Sequence, residues 1–69
     1  MEEEELRRIR IYEVNKQIDD LRMFLIQTDY KAIKYAEGLL KAEEYEPIKQ
    51  QRQAWRDEIN QLEEEISQL

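Results

Sequence analysis

The stretch YEPIKQQRQAWRDEINQLEEEISQL, residues 45–69, decides the fold. Its Tyr45, Ile48, Arg52, Trp55, Ile59, Leu62, Ile66 and Leu69 fall alternately three and four residues apart, and Arg52 is the only charged member. That spacing aligns side chains along one face of an α-helix, the heptad stripe by which helices pack in pairs. It predicts a helix over about residues 43–68, with Pro47 tolerated in the first turn, where an amide has no helical acceptor to lose.

Toward the N-terminus, Ile11, Val14, Ile18, Leu21 and Leu25 repeat the three-four alternation. They predict a first helix over about residues 3–27. Between the stripes, Thr28 or Asp29 has the side-chain oxygen that caps free helical amides, and Gly38 tolerates the left-handed conformation that ends a helix. A short helix over about residues 29–37 is therefore expected, with Tyr30, Ile33 and Ala36 forming a small apolar face. Two long helices joined by so short a link fold back antiparallel.

The expected architecture is all-α and a single domain over residues 1–69. It is a coiled-coil-like helical hairpin whose tip is closed by the short third helix over Leu21, Phe24 and Leu25. Matching the stripes sets Leu25 beside Ile48, Leu21 beside Arg52, Ile18 beside Trp55, Val14 beside Ile59 and Ile11 beside Leu62. A two-helix seam in so small a chain buries little apolar surface. The apolar residues left outside it, Leu6, Ile9 and Tyr12 on one side and Met23 and Ile26 on another, either pair with a second copy, most simply as a homodimer forming a four-helix bundle, or wait for a partner.

Composition removes most catalytic classes. The chain has 69 residues, 17 acidic and 11 basic for a net charge of −6, with no Cys and no His. Structural zinc sites and His-based triads lack their ligands and bases, and a carboxylate-bridged di-iron bundle lacks its Glu-x-x-His. Adjacent carboxylates such as Asp19 and Asp20 point about 100° apart on a helix and cannot share a site. No enzyme activity, catalytic residue, metal or cofactor is expected. The longest apolar run, Met23 to Ile26, is far short of a membrane span, and the acidic start is unlike a signal peptide, so a cytoplasmic protein is expected. Net negative charge argues against nucleic acid and anionic membranes as direct partners and in favour of a protein.

Within this frame the candidate binding residues are Leu6, Ile9, Tyr12, Tyr30, Tyr35, Arg52 and Trp55. Arg52 on an apolar stripe either lays its stem over Leu21 and pairs with Asp19, Asp20 or a nearby glutamate, or fixes the register of the helices, or meets a partner. Trp55 is a core residue of the hairpin, or an interface anchor if the stripe is half covered. Tyr30, Tyr35 and Tyr45 crowd the tip. Antiparallel folding also gathers Glu2, Glu3, Glu4 and Glu5 with Glu63, Glu64 and Glu65 at the opposite end. The first of these runs favours its helix N-terminus and is spaced to pair with Arg7 and Arg8. Together the runs are a solubilising end or an acidic patch resembling nucleic-acid phosphates.

Three elements occur together in order: Gln27 through Gly38 (QTDYKAIKYAEG), Glu43 through Ile48 (EEYEPI), and Gln51 through Leu62 (QRQAWRDEINQL). They resemble the C-terminal segment of tail-assembly-chaperone and tail-fibre-assembly proteins of temperate bacteriophages, over roughly residues 25–62. The resemblance implies a phage protein that binds a tail or fibre subunit in an infected or lysogenic host cell. The first helix here stands where that family carries a separate N-terminal domain. The expected function is therefore a non-enzymatic assembly chaperone that engages its client through apolar helix faces. The alternative is a phage-encoded inhibitor of a bacterial defence protein, anti-CRISPR-like or an acidic mimic, acting by steric block.

Overall fold

A computed structural model describes residues 2–69. Two helices, α1 (Glu3–Ala36) and α2 (Ala42–Gln68), form an antiparallel hairpin 54 × 16 × 14 Å, with no strand among the described residues. The all-α hairpin expected from the two stripes is present. Val14, Ile18 and Leu21 of α1 and Ile59 of α2 are buried, and Leu25, Trp55, Leu62 and Ile66 pack against them.

The separate short helix at the tip is absent, because α1 runs unbroken through Thr28 and Asp29. Thr28 does not cap a new helix. Its Oγ1 donates back to the carbonyls of Phe24 and Leu25, at 2.9 and 3.1 Å, a bond that a helix interior accommodates. Gly38 does end a helix, but that helix is α1. At φ +79° it lets the Gly38 amide reach the Tyr35 carbonyl at 3.0 Å and the Leu39 amide reach Lys34 at 2.8 Å, the paired bonds of a Schellman turn.

This longer α1 moves the fold-back point. Residues 37–41 make the whole connection, so the hairpin is centred nearer residue 39, and facing positions shift by one to two turns. Trp55 faces Phe24 rather than Ile18, their ring centroids 5.3 Å apart, and Arg52 reaches Leu25 and Asp29 rather than Leu21. Tyr35 stacks on Tyr45 across the tip, with centroids 4.5 Å apart and planes 10° from parallel.

Pro47 lies deeper than the first turn. As the sixth residue of α2 it has no amide to offer the carbonyl of Glu43, four residues earlier. Pro47→Ala restores that donor, and the expected result is a gain of about 2 kcal/mol, the roughly 3 kcal/mol cost of an interior proline less the up to about 1 kcal/mol by which it restricts the unfolded chain. Thermal unfolding followed by circular dichroism should register it as a rise in Tm of about 4–8 °C for each kcal/mol gained.

Candidate interaction site

Burying one face of each helix leaves the opposite face to solvent, and the two helices carry different residues there. On α2 the outward series two residues before each core position reads Glu43, Glu46, Gln50, Gln53, Asp57, Asn60 and Glu64, all exposed and all polar. Some of these side chains satisfy each other one turn apart, Gln50 with Glu46 at 3.3 Å and Gln53 with Asp57 at 2.9 Å. This is a face built to meet water.

The corresponding series on α1 reads Ile9, Tyr12, Lys16, Asp19, Met23, Ile26, Tyr30 and Ile33, again all exposed. Its spacing alternates three and four from end to end, as the core stripe does. Tyr12 is 70 % exposed, Ile26 62 % and Ile33 57 %, so the apolar members give most or much of their surface to solvent. A second heptad stripe thus runs along the back of α1, interrupted by one lysine and one aspartate. Among the described residues neither Lys16 nor Asp19 forms an ion pair within the chain.

The sequence-predicted candidates divide between this face and the interior. Ile9, Tyr12 and Tyr30 lie on it, and Leu6 is exposed nearby at the start of α1. The Lys34 ammonium stands 5.8 Å from the centroid of the Tyr30 ring, within range of a cation–π contact. Tyr30 also edges a groove of about 250 Å³ shared with Lys31, Lys34, Leu40, Glu44 and Ile48. Tyr35 is partly occupied by its stack on Tyr45, and Trp55 is half-buried against Phe24.

Arg52 faces inward and presents nothing to a partner. It is 6 % exposed, donating from Nη1 to the Leu25 carbonyl at 2.8 Å and to Thr28 Oγ1, and from Nη2 to Asp29 Oδ1 at 2.8 Å. Its carboxylate partner is therefore Asp29, not Asp19 or Asp20, because the shifted register brings that turn of α1 opposite. Three donations onto two successive turns of α1 tie the helices at one height. Its Nε is buried without a partner, a cost that the other bonds offset.

The acidic end is less bare than the sequence implies. Both termini do meet there, around a shallow groove lined by Glu3, Leu6, Arg7, Arg10, Gln68 and Leu69. Glu4 pairs with Arg8 at 3.1 Å, Glu63 with Arg22 at 3.1 Å, and Glu65 Oε1 accepts from both Nε and Nη2 of Arg10, at 2.9 and 2.7 Å. The Glu65 hydrogen bond, then its charge, raises the Arg10 pKa above the ordinary value, so this arginine stays charged throughout any physiological range. Glu2, Glu3, Glu5 and Glu64 remain without such a bond.

No group of carboxylates among the described residues could hold a metal ion, and no helix there is long and apolar enough to cross a membrane. No family model, curated protein or solved structure matches the chain.

Proposed function

We propose that this chain is a non-enzymatic protein-interaction module of the phage tail or tail-fibre assembly type, engaging protein partners through the outward face of α1. The observation that supports this reading is the asymmetry of the two outer faces, one polar throughout and the other a heptad series of isoleucine, tyrosine and methionine. A stripe of that kind binds a helix laid along it, with apolar anchors recurring every three or four residues. At the tip the stripe continues through Tyr30 and Ile33 beside the groove edged by Lys31, Lys34 and Glu44, where the end of a client segment would fit. The inhibitor reading through an acidic patch draws less support, since Glu4, Glu63 and Glu65 already spend charge on Arg8, Arg22 and Arg10.

Site-specific photo-crosslinking tests this in the infected or lysogenic cell. A benzophenone side chain at Ile33 is expected to capture a phage tail or fibre subunit, while the same group at Gln53, on the polar face of α2, captures none. Capture from Gln53 alone would overturn the assignment of the face. A host defence protein captured at Ile33 would replace the assembly role with the inhibitor role.

A further inference from the structure

The central part of the α1 stripe holds the information needed to choose its occupant. Between the apolar pairs Ile9 and Tyr12 on one side and Met23 and Ile26 on the other stand Lys16 and Asp19, opposite in sign, three residues apart, exposed and unpaired. A foreign helix laid along this stripe would have to supply its own aspartate and lysine at the same two heights. A second copy supplies them without further requirement.

We propose that the outward face of α1 binds the same face of a second copy, antiparallel, about a two-fold axis passing between Lys16 and Asp19. The inference rests on reading this face as an interaction surface and deepens that reading by naming the first occupant. In an antiparallel heptad pair each first-type core position meets the second type of the other helix. Setting Lys16 against Asp19 of the second copy does this, and it simultaneously brings Ile9 against Ile26 and Tyr12 against Met23. The two-fold axis repeats every one of these layers.

Other alignments fail on charge. A parallel pair sets Lys16 against Lys16 and Asp19 against Asp19 along the axis of the interface. Antiparallel pairs slipped by one heptad in either direction set both charges against isoleucine, tyrosine or methionine, leaving them desolvated without a partner. At the edges of the favoured alignment, Arg8 comes near Asp29 and Asn15 near Arg22 of the second copy. Glu13 comes near Asp20 with like sign, and Arg10, whose Nη1 is 3.5 Å from Glu13, offsets that pair. In this alignment Tyr30 falls opposite Glu5 of the second copy, while Ile33 and the tip groove lie at or beyond the start of its α1, which leaves one client site at each end of the dimer.

Sedimentation of the purified chain from about 1 mM to about 1 μM tests the inference. The expected result is a reversible dimer, with Lys16→Asp and Asp19→Lys each weakening association about 100-fold and the double substitution restoring it. Circular dichroism of each variant should be unchanged, since both residues lie outside the hairpin core. Met23→Glu, a lesion of a different kind, should also yield monomer. Orientation is read by disulfide trapping, which suits a chain without cysteine: Ile9→Cys mixed with Ile26→Cys should cross-link. Ile26→Cys alone should not, because two copies of that position lie about 25 Å apart in the antiparallel pair.

A monomer at all concentrations would overturn the inference, as would a dimer indifferent to the charge reversals, or self-cross-linking of Ile26→Cys. None of these outcomes would affect client capture at Ile33, so failure of the dimer and failure of the interaction reading remain distinguishable.

Discussion

Val14→Asp should abolish the hairpin, leaving a chain with little helical signal by circular dichroism at room temperature. Val14 is the most deeply buried of the described residues, at 0 % exposure, in a core where four apolar side chains are buried. Placing a carboxylate there removes apolar contacts and buries a charge with no ligand provided, a cost of several kcal/mol even after the site relaxes. A domain of this length has on the order of 3–10 kcal/mol of total stability. In contrast, Asp57→Ala on the outer face of α2 removes only an exposed bond to Gln53 and should stay within about 0.5 kcal/mol. Retention of full helicity in Val14→Asp would show that the seam described above is not what holds the helices together.

The second large effect is an asymmetry around Arg52. Asp29→Ala leaves a guanidinium that is 6 % exposed without its counter-charge, and should cost about 1–3 kcal/mol. The figure sits low in the range for buried pairs because the Asp29 side chain is 55 % exposed, and water there partly screens the loss. Arg52→Met keeps the aliphatic bulk between Leu25 and the rest of the seam while removing the charge and its orphaned Nε. Its cost should be under about 1 kcal/mol, and it should also cancel most of the effect of Asp29→Ala in the double variant. Denaturant unfolding of the four proteins measures the coupling. Equal costs for the two single substitutions, adding without interaction, would show that the charge pair contributes nothing beyond the bulk of its parts.

The register depends on this same cluster, and it is where the sequence was hardest to read. The core stripes were legible because burial at a heptad period leaves an apolar residue at nearly every turn: Val14, Ile18 and Leu21 on α1, and Ile59, Leu62 and Ile66 on α2. The break expected at Thr28 and Asp29 was not there, because a threonine hydroxyl serves equally as a helix cap and as a donor to the preceding turn. What selects the second use is Arg52, which arrives from 24 positions away to donate to Thr28 Oγ1. No window along the chain contains that information.

The continuity of α1 through Thr28 has two consequences. A helix ending near Gln27 would lengthen the link and displace the facing pairs by nearly two turns, setting Trp55 against Ile18 instead of Phe24. It would also place Tyr30 and Ile33 on a different element from Ile9 and Tyr12. With α1 continuous to Ala36, those four join Met23 and Ile26 in one series. The signal was present in the three-four spacing, but it was hidden by two charged members and by the supposed break between Ile26 and Tyr30. The paired carboxylates of the acidic end were partly legible, since Glu4 lies one turn before Arg8. The bonds from Arg10 to Glu65 and from Arg22 to Glu63 depend on the hairpin register and were not.

The proposal that the outward face of α1 is where this chain meets a second copy is tested most directly by hydroxyl-radical footprinting of the purified chain from about 1 μM to about 1 mM. Tyr12, Met23 and Ile26 should lose reactivity in the associated state, while Tyr45 and Trp55, at the tip and in the seam, should react at the same rate in both. Unchanged reactivity at Tyr12, Met23 and Ile26, or protection confined to α2, would contradict the account.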